Sequence, residues 1–124
     1  MNSYLLVFIG GGLGSVARLG IGTLMNRYVN SIFPYGTLCV NVVSSFILGL
    51  LTASLIYKLH ALGEQQRLLI GVGFCGGLST FSTFSLELFN LLKTENYFLA
   101  SLTILASVVL CLMAVWLGMM VVKN

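Results

Sequence analysis

Charge is what this sequence has least of. Only 7% of its 124 residues are charged and 58% are hydrophobic, whereas a soluble domain carries about 25% charged residues. This excludes a water-soluble enzyme or scaffold and predicts an integral membrane protein with room for one domain, residues 1–124. The net charge is +3 and the six basic residues are scattered, so there is no polybasic arm and no stripe for nucleic acid. Proline occurs once, at Pro34. Cys39, Cys75 and Cys111 stand alone in apolar surroundings. Without C-x-x-C or Cys/His spacing for zinc, they are expected as small buried hydrophobes. The single histidine, His60, is expected on the surface of a loop. The stretch MNSYLLVFIGGG lacks a basic n-region and a small-residue cleavage site, so no cleaved leader is expected. No Ser-His-Asp set, paired carboxylates or P-loop appears, and GGGLG at Gly10–Gly14 is not GxGxxG. Neither catalysis nor nucleotide-driven pumping is expected.

What is present is apolar length. Four runs of roughly 20 residues can each span a bilayer: residues 4–25, 35–57, 68–92 and 97–122. Tyr4, Tyr28, Tyr35, Tyr57 and Tyr97 fall near their ends, where amphipathic rings favour the interface. Small residues recur at four-residue spacing, as Gly10 and Gly14, Ser45 and Gly49, and Ala114 and Gly118, which predicts close helix packing. Lysine and arginine are nearly balanced across the membrane. Lys58, Arg67 and Lys123 lie on the side of the termini; Arg27, Lys93 and, if it snorkels there, Arg18 lie on the other. The positive-inside rule needs a bias to orient a chain. Its near absence leaves two readings: a bias that simple counting misses, or insertion both ways with assembly as an antiparallel dimer.

The third run contains Gly71 to Phe84, GVGFCGGLSTFSTF. Gly76 and Gly77 are poor helix formers, and a helix break is expected over Gly76–Ser79. Backbone freed at membrane depth survives only inside protein or along a wet path, and such breaks often mark an ion or substrate site. Beyond the break, Phe81 and Phe84, Ser79 and Ser82, and Thr80 and Thr83 are each three apart and would share helix faces. Ring edges carry partial positive charge and hydroxyls donate, so this face suits a small anion. The plain alternative is two packing phenylalanines. The freed carbonyls suit a hard cation such as sodium.

Three further polar residues lie within spans, each with two readings. Arg18 either snorkels or lends positive potential to an anion vestibule. Glu87 either anchors a helix end or stands on an ion path. Asn41, one helical turn after Thr37, either bonds between helices or lines a polar track.

Taken in order, GGGLGSVAR, GTLCVN and GFCGGLSTFSTFSLE closely resemble the Fluc/CrcB fluoride channels over essentially the whole chain, the third motif being the specific one. The resemblance implies an all-α integral membrane fold with four transmembrane helices per subunit, the third broken, paired as an antiparallel, dual-topology homodimer. It implies a passive fluoride channel in a microbial inner (plasma) membrane, exporting toxic fluoride from the cytoplasm, with a structural sodium ion at the dimer interface. Carried over by motif, Phe81 and Phe84 would turn ring edges to fluoride and Asn41 would donate to it. Ser82 and Thr83 would form a hydroxyl track that Glu87 follows, and Arg18 would stand near the vestibule. Gly76 and Ser79 would give backbone carbonyls to sodium. Thr37, Thr103 and Ser107 are weaker candidates for lining the path. Leu19 stands where the family often has an aromatic, and Ser44 where a glycine is frequent. Two other classes compete. A small dual-topology, proton-coupled drug or cation transporter needs a carboxylate early in its first span, and none is there. A non-transporting assembly subunit would bury the polar face of the third span against a partner.

Overall fold

The computed structural model describes residues 2–58 and 63–124 and is helical nearly throughout. His60 lies outside the described residues. Four helical spans are long and apolar enough to cross a membrane: Ser3–Tyr28, Tyr35–Tyr57, Gly63–Lys93 and Tyr97–Lys123. Helix α1 (Ser3–Tyr28) starts at Asn2, whose side chain accepts the Tyr4 N–H at 2.7 Å, satisfying one of the amides a helix start leaves free. A short loop containing Pro34 leads to α2 (Tyr35–Ala53), which continues in wide π turns over Ser54–Lys58.

The third span is in two pieces. Its first half, α3 (residues 63–78), is π-helical from Arg67 to Cys75 and closes with one α turn, Gly76–Leu78. Its second half is α4 (Phe81–Lys93). A tight turn through Glu95, at φ 62°, leads to α5 (Tyr97–Lys123).

Packing relies on backbones in contact. A Cβ on Gly14 would overlap the Phe74 carbonyl of α3, and one on Gly77 would overlap the Gly11 carbonyl of α1. On the other side of the bundle, a Cβ on Gly49 of α2 would strike the Val115 carbonyl, and one on Gly118 of α5 the Phe46 carbonyl. Lipid gives no hydrophobic drive between helices, so such close approach is how spans gain dispersion contact. The core that results is thin and includes Leu6, Val40, Leu78, Leu91 and Ala114. The buried serine of α2 is Ser44, one helical turn from Val40, and not Ser45 of the expected small-residue pair.

The break begins only at the last residue of the expected Gly76–Ser79 stretch and runs one residue past it. Gly76 keeps helical angles, φ −63° and ψ −38°. The chain turns extended only at Ser79 (φ −78°, ψ 155°) and Thr80 (φ −151°, ψ 119°). The reason is packing: Gly77 is small so that α3 can lie on the backbone of α1, and a helix gripped there stays a helix. Ser79 therefore shares no helix face with Ser82. Thr80 is the cap of α4 and no part of its ladder, since its Oγ1 accepts the Thr83 N–H at 3.1 Å.

Candidate functional site at the helix break

Two extended residues between two helices leave backbone groups without ladder partners, and side chains from α2 meet them. Asn41 brackets Thr80. Its Oδ1 accepts the Thr80 N–H at 2.8 Å, and its Nδ2 donates to the Thr80 carbonyl at 3.3 Å. One turn later on α2, the Ser44 hydroxyl donates to the Cys75 carbonyl at 2.9 Å. The same carbonyl accepts the Ser79 N–H at 3.0 Å and the Ser79 hydroxyl at 2.8 Å. One turn earlier on α2, the Thr37 hydroxyl donates to the Glu87 carboxylate of α4. Thr37, Asn41 and Ser44 thus lie along one stripe of α2, as spacings of four and three require, and all three address the third span.

A cavity of about 490 Å³ opens beside this stripe. The first helix lines it with Ser15, Arg18, Gly22 and Asn26, the third span with Thr80, Thr83 and Glu87. Thr37 faces the same space. Arg18 and Glu87 therefore share one polar cavity without pairing: among the described residues the one ion pair is Glu64–Arg67, at 2.6 Å on the surface. A positive group and hydroxyl donors around one open space can receive a small anion from solvent.

The phenylalanines stand outside that cavity. Their ring centroids are 5.6 Å apart at a 40° tilt, and Phe81 is 79% exposed on the single chain while Phe84 is half-buried. Ser82 and Thr83 are exposed at the same end of α4. The fourth-span candidates lie elsewhere. Thr103 is buried, and its hydroxyl turns back to the Leu99 carbonyl at 2.7 Å; Ser107 is half-buried. Neither lines the cavity.

The residues expected to meet a cation sit in a smaller cavity of about 190 Å³, lined by Ser44, Ser45, Gly71, Cys75, Gly76 and Ser79 among others. Helix α3 ends at Leu78: the Cys75 carbonyl still takes the Ser79 N–H, but the Thr80 N–H that would reach the Gly76 carbonyl goes to Asn41. These carbonyls are neutral oxygen donors, the set a hard cation such as sodium takes and a thiolate-seeking metal does not. Among the described residues no three His, Cys, Asp or Glu side chains gather. Cys75 is buried as expected, whereas Cys39 and Cys111 are only half-buried.

The family model described as CrcB-like protein, Camphor Resistance (CrcB), matches residues 5–119. This chain belongs to the CrcB family. Three similar proteins each carry the name fluoride-specific ion channel FluC. One from Coxiella burnetii is 43% identical over 117 residues, covering 94% of either chain. One from Pyrococcus abyssi is 44% identical over 124 residues, covering all of this chain and 98% of its own. One from Geobacter sulfurreducens is 39% identical over 124 residues, covering all of this chain and 99% of its own.

The fold brings Thr37, Thr83, Arg18 and Glu87 of this CrcB chain around one cavity and joins Asn41 to the break. It adds Ser44, Ser15 and Asn26, none of which the motifs marked as site residues, and gives Thr80, read from the sequence only as one of the hydroxyls beyond the break, a place at the break itself. Ser15, Arg18, Gly22 and Asn26 follow one another at spacings of three and four, a polar helical stripe that periodicity makes visible. Nothing comparable announces Ser44, because its partner is a backbone carbonyl.

Proposed function

We propose that this chain is a passive fluoride-selective channel of a microbial inner membrane, letting fluoride leave the cytoplasm. It works as an antiparallel homodimer around a structural sodium ion. The observation that carries the reading is the break itself. Asn41 holds the Ser79–Thr80 turn open, and α4 starts immediately after it with two neighbouring rings and two hydroxyls on the solvent side of the lone subunit.

Fluoride holds its water tightly, so a pore must replace that shell and still release the ion. In this reading it enters past Arg18 and the hydroxyls of the larger cavity. It then passes the edges of Phe81 and Phe84, which carry partial positive charge. Ser82, Thr83 and the second N–H of Asn41 supply donors of moderate strength, and Thr37 keeps the Glu87 carboxylate engaged so that it does not simply repel. A row of arginines would bind too well. From the fourth span, half-buried Ser107 is the candidate that can reach the path, whereas Thr103 is buried with its hydroxyl on the Leu99 carbonyl. The Gly76 and Ser79 carbonyls hold sodium, whose fixed charge steadies the dimer interface where they meet their counterparts. The nearly even Lys/Arg count supports insertion in both orientations. Phe81 stands clear of its own subunit's core, and a second subunit would complete its pore.

Fluoride efflux from liposomes holding only the purified protein, with chloride as control, tests the reading. Fast efflux of fluoride and none of chloride is expected. Efflux that depends on a proton gradient would give the site to a coupled transporter, and no efflux from well-folded protein would leave an assembly subunit.

A further inference from the structure

The carboxamide of Asn41 sets the direction of two backbone carbonyls at once. In an unbroken helix the Thr80 N–H would return to the Gly76 carbonyl, four residues back. It goes instead to Asn41 Oδ1, 2.8 Å away. The Gly76 carbonyl therefore loses its helical donor. The Ser79–Thr80 peptide is planar and trans, so the Ser79 carbonyl points opposite to the Thr80 N–H. Holding that N–H on α2 turns the Ser79 carbonyl away from Asn41. Thr80 is extended, which puts its own N–H and carbonyl on one side. Asn41 grips both, in the exchange that opposed residues make in an antiparallel ladder. Two bonds to one residue resist rotation of the peptide better than one.

We infer that Asn41 is a positioning residue for the cation site: from α2 it frees the Gly76 carbonyl and aims the Ser79 carbonyl. The inference rests on the sodium site proposed above. It gives Asn41 a task apart from contact with the anion, and it ties the two ion sites through one side chain. Thr80 lines the larger cavity and Ser79 the smaller, so the peptide that Asn41 holds is the partition between them.

The test is thermal unfolding of the purified full-length protein in detergent, without fluoride, in sodium chloride against potassium chloride. The wild-type midpoint should rise in sodium relative to potassium. In Asn41→Val the sodium-specific rise should vanish, or the sodium concentration for half of it should increase about tenfold or more. If that variant does not fold, Asn41→Ser serves, being one bond too short to reach Thr80. Asn41→Asp keeps the acceptor for the Thr80 N–H and should keep the rise, even where its fluoride efflux is lost. Subtracting the potassium curve removes general destabilisation, which a merely structural asparagine would cause in both salts alike. A full sodium rise in folded Asn41→Val or Asn41→Ser overturns the inference and leaves the sodium site standing, as does its loss in Asn41→Asp. No sodium rise in the wild type overturns the sodium site and the inference together.

Discussion

The two halves of the third span are held by different things. Helix α3 lies on α1 backbone to backbone, through Gly10, Gly14 and Gly77, and buries Gly73, Cys75 and Leu78. Helix α4 buries one side chain, Leu91, and leaves Phe81, Leu86 and Phe89 exposed. It is also the most amphipathic of the long helices. The half before the break is thus locked into its own subunit, where small residues permit contact that a single methyl would forbid. The half after it carries the rings and hydroxyls and has little to rest on within the subunit. At membrane depth such polar groups need protein or water beside them, which the proposed partner subunit would supply.

That contrast can be broken from the α3 side with the largest effect. Gly77→Val puts a branched side chain into the Gly11 carbonyl. Neither backbone can yield cheaply, and a cost of ~3 kcal/mol or more is expected. Size-exclusion chromatography should show little monodisperse protein, and normal yield would mean that α3 does not lie on α1 as described. The α4 side should respond in function and not in folding. Phe81→Ile removes an exposed ring, so assembly should persist while fluoride efflux falls about tenfold or more, the effect of ~1.4 kcal/mol on a barrier. Unchanged efflux from the folded variant would take Phe81 out of the pore.

Smaller effects sharpen where the boundary lies. Ser44→Ala removes one of three donors from the Cys75 carbonyl, and the Ser79 N–H and hydroxyl remain. Hydrogen bonds between membrane helices average ~0.6 kcal/mol, so chemical denaturation should register a loss of about that size. The smallest effect belongs to Gly12→Ala. A Cβ there meets nothing, and Ala favours the helix by ~1 kcal/mol or less. Stability equal to or slightly above wild type is expected. A large loss would show that an unseen surface covers this face of α1.

Much of the bundle was legible before any coordinates. Runs of apolar residues near the length of a bilayer read directly as spans, because length and hydropathy are local properties. The i, i+4 spacing of Thr37 and Asn41 likewise placed them on one stripe of α2. The break was legible as an event, but of the expected Gly76–Ser79 stretch only Ser79 opens. Helix propensity pointed to Gly76 and Gly77, yet both stay helical and the chain opens at Ser79 and Thr80. Propensity describes a residue by itself; Gly77 is held against the Gly11 backbone, and Gly76, which meets no neighbour, continues the helix beside it. The α1 stripe of Ser15, Arg18, Gly22 and Asn26 was present in the periodicity, whereas Ser44 was beyond reach, since a serine donating to a distant carbonyl looks like any other serine.

The sequence by itself determined that this is a four-span membrane protein of the CrcB family with one hydroxyl-rich interruption. Scarce charge, apolar length and the motif from Gly73 to Glu87 suffice for that, being written in consecutive residues. Only the tertiary structure decided which peptide opens and what holds it. Asn41 and Thr80 are 39 residues apart, and their bonds exist because α2 and the third span pack close enough for one amide to replace a helix's own ladder.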